Sequence, residues 1–283
     1  PHGPERATIA GGVSARVVRI GDLVVKRPQR RLDVPFDWQA GTGRVLAEAA
    51  ALRVAGDLAP APLHVDELHH VLVQRFVAGE PWKDELLAGR VDPAAVAAVA
   101  AALATVHALP VDGVDGHDRF RRLRLVPYFL ATARTVPELR PALTDVVERL
   151  TATRTHLVHG DLSPKNILVD RSGAAAGAVR VSVLDWEVVH AGDPAFDVAF
   201  LLSHLVAKGL HRPEAAEEFE TAARTVRAAC PDVDDAWLGR LLGALLLARV
   251  HGQSRLEYLD DAARARVDRR GRELLLEGEA PPC

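Results

Sequence analysis

The sequence predicts an α+β fold of two lobes: a small N-terminal lobe with an antiparallel sheet and one helix over residues 1–79, and a larger, mainly helical lobe over residues 80–283. Three observations predict it. The first 80 residues read as short segments of strand composition joined by turns and interrupted by one helical pattern. Ala78-Gly79-Glu80-Pro81 then breaks regular structure, as a connection between lobes would. Beyond it the chain reads as helix, except for Leu157 to about Glu187, where short apolar strands alternate with loops.

Arg6–Ala10, Ala15–Ile20 and Leu23–Lys26 have strand composition, with Gly21-Asp22 as hairpin chemistry between the last two. A helical pattern opens at Thr42 and runs to about Ala55, with Gly56 in the position of a C-terminal cap. Two strands follow, around Leu63–Val65 and His70–Val77. Asp92-Pro93 is an N-cap with proline in the first turn, opening an alanine-rich helix over Ala94–Leu109 that Pro110 ends. Further helices are predicted at about Pro127–Thr135, at Pro137–Thr153, and from Pro194 to Leu276 with breaks near Gly209–Pro213, Pro231 and Gly252. The basic run Arg119–Arg124 reads as a solvated face rather than a nucleic-acid patch.

Composition excludes several classes. A chain of 283 residues, 48% hydrophobic and 26% charged, fits a soluble globular protein with a large core. A net charge of −3 gives no global attraction to nucleic acid or to an anionic membrane. No apolar run reaches the roughly 18 residues of a spanning helix, and no signal-peptide core is read at the start. The two cysteines, Cys230 and Cys283, are too few for a disulfide framework, so a cytoplasmic setting is expected. Among the 35 basic residues only Lys26, Lys83, Lys165 and Lys208 are lysine. In a chain so committed to arginine, a lysine on a strand invites a specific reason, because an ammonium and a guanidinium are not interchangeable.

The most informative segment is His159-Gly160-Asp161-Leu162-Ser163-Pro164-Lys165-Asn166-Ile167-Leu168-Val169, followed by Leu184-Asp185-Trp186. It places a carboxylate, a carboxamide and a second carboxylate around a tight turn between short apolar strands. That is equipment for holding a metal-bound nucleotide and steering a hydroxyl onto its terminal phosphate. Protein kinases carry Asp, Asn five residues on, and a second Asp in the next strand turn; Asp161, Asn166 and Asp185 keep that arrangement. With His-Gly-Asp in place of His-Arg-Asp, the loop resembles that of the aminoglycoside phosphotransferase and choline kinase group of small-molecule kinases.

The resemblance implies a protein-kinase-like fold with the nucleotide between the lobes, ATP (or GTP) as co-substrate, and Mg²⁺. It implies Asp161 as the base that orients the acceptor hydroxyl, and Asn166 with Asp185 as metal ligands, since Mg²⁺ takes oxygen donors. Lys26 fits the strand lysine that neutralises the nucleotide phosphates, with Glu48 on the following helix as its partner. Ser14 closes Ala10-Gly11-Gly12-Val13-Ser14, where a phosphate-covering hairpin belongs; an ordinary tight turn reads equally well. Backbone groups of Arg75 and Val77 are expected to meet the purine. His159 is read as a structural tether and Asp197 as a scaffold aspartate that binds the catalytic-loop backbone. Asp193 comes only eight residues after Asp185, too soon for the activation segment of a protein kinase, so the acceptor is expected to be a small molecule.

Glu187 is a candidate for the acceptor pocket, where it would favour a cationic or polyhydroxyl substrate. Arg249 and His251 are further substrate candidates on a C-terminal helix. Lys165 can reach a transferring phosphate or project into solvent. Two rival readings stand beside the kinase: a pseudokinase that binds nucleotide without turnover, and a metal-dependent hydrolase built on His156, His159 and Asp161. A monomer and a homodimer are both compatible with the sequence, and neither nucleic acid nor membrane is an expected partner.

Overall fold

A computed structural model describes residues 6–8, 14–33, 38–172 and 179–278. The predicted strand at Arg6–Ala10 is described only over Arg6–Thr8, and of the Ala10–Ser14 turn only Ser14 lies among the described residues, as Cys283 does not. The N-terminal sheet comprises β1 (Arg6–Thr8), β2 (Ala15–Ile20), β3 (Leu23–Pro28), β4 (Pro62–Asp66) and β5 (Val71–Arg75), in the antiparallel order β1-β2-β3-β5-β4. Gly21, at φ 60°, makes the β2–β3 turn. Period-two alternation along β3 puts Val24 and Lys26 on one buried face, with Lys26 opposite Leu72 of β5.

Helix α1 (Arg44–Ala55) packs beside this sheet, starting two residues later than the sequence pattern suggests. It buries Arg44 and Glu48 on the same stripe as Leu52 and Ala55, because residues four apart share a helix face. The segment expected to link the lobes does more than connect them: β6 (Glu80–Pro81) pairs with β8 (Ile167–Asp170). β8 also pairs with β9 (Arg180–Val183), while β7 (His156–Val158) pairs with β10 (His190–Gly192). These two small sheets carry the segment that the sequence singles out.

The rest is helical: α2 (Trp82–Leu87), α3 (Pro93–Ala108), α4 (His117–Phe120), α5 (Ala131–Thr135), α6 (Arg140–Ala152), α7 (Ala195–His211), α8 (Ala216–Ala228), α9 (Asp235–His251) and α10 (Asp261–Glu277). The Asp92 side chain caps α3 by accepting from Ala94 N at 3.0 Å. α7 and α9 are buried on most sides, and the core runs from Leu72 and Trp82 through Phe120, Phe196 and Phe200 to Leu245. Among the described residues no helix is long and apolar enough to cross a membrane.

One difference from expectation bears on the site. Between α4 and α5 the chain is π-helical over Arg121–Leu130, with Pro127 inside, where the sequence suggests a basic surface run and then an ordinary helix. Pro127 lacks an N–H and cannot donate to the helix ladder. Its carbonyl accepts from Gln253 N at 2.9 Å instead of serving only the helix. The wider i→i+5 turn changes which side chains face inward: Arg121 and Arg122 stay exposed, but Arg124 is buried. The reading of this run as a solvated face is therefore wrong at Arg124.

Candidate active site

The loop after β7 is fixed by its own backbone. Gly160 has φ 79°, and a Cβ there would lie 2.9 Å from both Cγ1 and the carbonyl oxygen of Val188, so no side chain fits. Asp197, fully buried at the start of α7, accepts from His159 N at 2.7 Å and from Gly160 N at 2.9 Å. His159 uses both ring nitrogens internally: Nε2 donates to the Leu184 carbonyl at 3.1 Å, and Nδ1 accepts from Asp161 N at 3.1 Å. Burial lowers its pKa, so the ring is neutral. With both nitrogens committed, His159 has no lone pair for a metal, and His156 is exposed beside Thr155. The hydrolase reading loses its ligands.

Asp161 is thereby presented with its carboxylate in a cationic surround. Arg124 Nη2 lies 2.9 Å from Oδ1, and Lys165 Nζ lies 3.5 Å from Oδ2. Arg124 Nε also donates to the Gly160 carbonyl at 2.6 Å. Asn166 Nδ2 donates to Asp161 Oδ2 at 2.8 Å and to its carbonyl at 2.9 Å. Burial would raise the Asp161 pKa, but Arg124 and then Lys165 override it and hold the group below the ordinary carboxylate value. Asp161 is an ionised acceptor at neutral pH.

Asp185 follows β9 with φ 65° and ψ 57°, a left-handed conformation uncommon for a residue with a side chain. Its Oδ1 takes Lys26 Nζ at 2.5 Å, and the same ammonium reaches Glu48 Oε1 at 2.7 Å. Two residues on, Glu187 Oε2 accepts from Arg44 Nε at 2.8 Å. Arg44 also donates to the carbonyls of Ser14, Gln29, Ala40 and Gly41. Two cations, Arg44 and the Lys26 that Glu48 holds one turn further along α1, thus grip the Asp-Trp-Glu turn. Burial opposes the charge of Lys26, but Asp185 and Glu48 outweigh it and raise its pKa. Burial likewise works against ionised Asp185, and Lys26 with Lys165 reverses it, leaving the carboxylate below its ordinary range.

The donor set suits a hard divalent cation. Oxygens of Glu48, Asp185 and Glu187 lie within 4.8 Å of one another, although Glu48 and Glu187 already hold Lys26 and Arg44. Asn166 spends its amide nitrogen on Asp161, which turns its carbonyl oxygen to other partners. Asp185 Oδ2 has no protein partner among the described residues. Asn166 and Asp185 line the same cavity and offer the oxygen chemistry that Mg²⁺ takes.

Two adjoining cavities share Ser14, Lys165 and Asp185 as their common wall. One, of about 460 Å³, lies beneath the N-terminal sheet and is lined by Val24, Lys26, Glu48, Asn166 and the chain from Gln74 to Val77. Arg75 and Val77 therefore border it, but the Arg75 N–H is committed to the Ala61 carbonyl at 2.9 Å. The other, of about 310 Å³, is lined by Asp161, Arg124, Tyr128, Glu187 and side chains of α7 and α9 that include Arg249. His251 is not brought there. It pairs with Asp268 of α10 at 2.6 Å, since the α9 surface that carries Arg249 inward turns His251 outward. Glu187 lines this cavity with its charge already met by Arg44, so a free anion awaiting a cationic substrate is not what the structure presents.

Sequence reasoning missed four residues: Arg124 and Arg44, which complete the ion pairs of Asp161 and Glu187, and Lys208 and His204, which line the smaller cavity from α7. The rarity of lysine was the one signal that could have found Lys208.

An antiparallel sheet with one helix, set over a helical lobe with paired carboxylates at the junction, defines a protein-kinase-like fold. The chain belongs to the phosphotransferase enzyme family, whose sequence model matches residues 5–236; it is a small-molecule kinase, a class that transfers phosphate from a nucleotide. No curated protein matches the sequence. Solved structures share the fold at low identity. The GDP complex of aminoglycoside 2'-phosphotransferase-IIIa is 18% identical, with a TM-score of 0.59 over 97% of this chain and 92% of that one. ADP-bound aminoglycoside phosphotransferase APH(2'')-Ib is 16% identical, with a TM-score of 0.55 over 97% and 93%. APH(3'')-Id from Streptomyces rimosus is 19% identical, with a TM-score of 0.53 over 87% and 92%.

Proposed function

We propose that the protein transfers the γ-phosphoryl group of ATP (or GTP) to a hydroxyl of a small polar molecule, in a Mg²⁺-dependent reaction. The nucleotide occupies the larger cavity and the acceptor the smaller. The supporting observation is the shared wall, where Asp185 borders both spaces while Asp161 borders the acceptor side and Asn166 the nucleotide side. In-line transfer requires donor and acceptor to meet at such a junction. The lobe boundary in this reading falls between residues 79 and 80.

Lys26, held by Glu48 and Asp185, neutralises the phosphates, and Ser14 borders them. Backbone groups of Arg75 and Val77 face the base, with the Arg75 contribution made through its carbonyl. Asn166 and Asp185 hold the metal, which when bound offsets the charge of the phosphate oxygens. Asp161 accepts a hydrogen bond from the acceptor hydroxyl and orients its oxygen on the γ-phosphorus. The bond from that phosphorus to the bridging oxygen breaks, and the nucleoside diphosphate leaves with the electron pair. The acceptor oxygen forms the new bond, and its proton passes to the Asp161 carboxylate and then to water. An Asp with a depressed pKa is a weak base, which suits a loose transition state in which the proton moves late. His159 and Asp197 keep the loop in place.

The pseudokinase alternative has no observation in its favour, because Lys26, Asp161, Asn166 and Asp185 are all present and converge. The test is nucleotide-dependent product formation over a panel of sugars, hydroxy acids, small alcohols and aminoglycosides, with Asp161→Asn as control. That variant should lose about 10²–10⁴ in kcat while keeping Mg-nucleotide affinity. Turnover equal to wild type would remove Asp161 from the chemistry.

A further inference from the structure

The acceptor cavity holds positive charge that the transfer reaction does not use. Each carboxylate on its wall already has a cation: Asp161 has Arg124 at 2.9 Å, Asp185 has Lys26 at 2.5 Å, Glu187 has Arg44 at 2.8 Å, and Glu257 has Lys83 at 2.9 Å. Lys208 and Arg249 also line the cavity, at 1% and 4% exposure, and among the described residues neither has a carboxylate within ion-pair distance. Among the described residues Lys208 Nζ faces the Tyr258 ring, 5.1 Å from its centroid. Arg249 donates to neutral groups alone: Nη1 to Tyr128 Oη at 3.0 Å and to Ser254 Oγ at 3.1 Å, Nη2 to His204 Nε2 at 2.8 Å. Its Nε is buried without a partner.

His204 adds no counter-charge. Burial and then Arg249 hold its pKa well below the ordinary value, so it serves as a neutral acceptor. An ammonium taken out of water without a paired anion is costly, and burial, then Arg249 and Lys83, outweigh the more distant Glu257 and push the Lys208 pKa down to about 7. Such a group becomes favourable when a ligand brings the missing charge.

Lysine usage points the same way. All four lysines of the chain line the two cavities, although arginine supplies the other basic residues. Lys26, Lys83 and Lys165 each meet a carboxylate of the protein. Lys208 does not.

We propose that the acceptor is an anionic hydroxyl compound, its carboxylate or phosphate group held by Lys208 and Arg249 while its hydroxyl reaches Asp161. This rests on the smaller cavity being the acceptor site. It disfavours polycationic acceptors, which would place ammonium groups beside two cations that have no balancing anion.

The experiment is calorimetric titration of a matched three-carbon set, small enough to enter the cavity without steric selection: glycerate, glycerol 3-phosphate, glycerol and 3-aminopropane-1,2-diol. Each is titrated into the protein with and without Mg-ADP. At least one acid should bind 10-fold or more tightly than glycerol, the amine should bind most weakly, and the better acid identifies the anionic group. Lys208→Met should reduce binding of that acid at least 10-fold and leave Mg-ADP affinity within twofold. The proposal is overturned if the amine binds as well as the acids, if neither acid binds measurably better than glycerol, or if Lys208→Met leaves acid binding unchanged. Failure of Mg-ADP to bind the wild type would instead defeat the nucleotide assignment, and the order of the four probes on the free protein would still decide this question.

Discussion

Replacing Arg124 by Met isolates the interaction that the π-helical segment creates. The Arg124 guanidinium and Asp161 carboxylate lie 2.9 Å apart with side-chain exposures of 7% and 8%. Arg124 comes first among the cations that hold the Asp161 pKa down, ahead of half-exposed Lys165 at 3.5 Å. Two unit charges about 4 Å apart interact by about 4 kcal/mol at an effective dielectric of 20, or about 3 pKa units. Partial compensation by Lys165 and by water admitted at the cut brings the expected rise to about 1–3 units. In the wild type the carboxylate is depressed, so the stability it contributes is present above its unfolded value of 3.8 and is lost as pH falls through the lower folded value. In the variant that contribution is gone at neutral pH, and leaving a buried charge short of its partner costs about 3–5 kcal/mol. The assay is kcat against pH between 4.5 and 8.5, paired with thermal melting. Wild-type kcat should be flat on its acid side, whereas Arg124→Met should show an acid limb shifted toward neutral pH, and Arg124→Lys should keep most of the flat profile. An acid limb unchanged in Arg124→Met, with normal melting, would refute the argument that this cation sets the ionisation of Asp161.

Asp197→Ala removes the acceptor for two buried N–H groups, those of His159 and Gly160. It should lower stability by about 3 kcal/mol and the melting temperature by roughly 6–12 °C; normal melting with abolished activity would give Asp197 a chemical role instead. His107 opposes burial by pairing with Asp197, its Nε2 3.6 Å from Oδ2, an ion pair too long for a hydrogen bond, and with Cys230 nearby its pKa is raised from 6.5 to about 9. A raised folded value means stability that is full below pH 6.5 and lost as pH rises through 9, with an upper bound of about 3–4 kcal/mol at about 1.4 kcal/mol per unit. The stability difference between wild type and His107→Gln, measured by urea unfolding, should therefore shrink from pH 6 to pH 9.5, and a difference independent of pH would contradict the ion pair.

The loop that carries Asp161 and Asn166 was legible because its pattern is local. Asp161 and Asn166 sit five residues apart on one turn, and His-Gly-Asp needs a glycine where Gly160 meets Val188. Strands β2 and β5 and helix α3 were legible for the same reason: composition, turn residues and the Asp92-Pro93 cap act within a few residues of themselves. Arg124 was not, because the wide turn around Pro127 departs from the helical period on which inside and outside are judged. Arg44 and Glu187 are 143 residues apart, and no local pattern marks such a pair. Arg249 lines the smaller cavity and His251 does not for one reason: a helix end names its residues without saying which side packs on α10 and which faces the cavity. The unbalanced charge of the smaller cavity appears only when each carboxylate is matched to its cation in space.

The proposed mechanism has Asp185 and Asn166 hold a metal-bound nucleotide beneath Lys26. Its most direct test is titration calorimetry of ATP into wild type and Asp185→Ala, with Mg²⁺ and with EDTA. Wild type should bind far more tightly with Mg²⁺ than without it, and Asp185→Ala should lose at least 10-fold in the Mg²⁺ arm. Equal affinities for Mg-ATP in the two proteins would contradict the assignment.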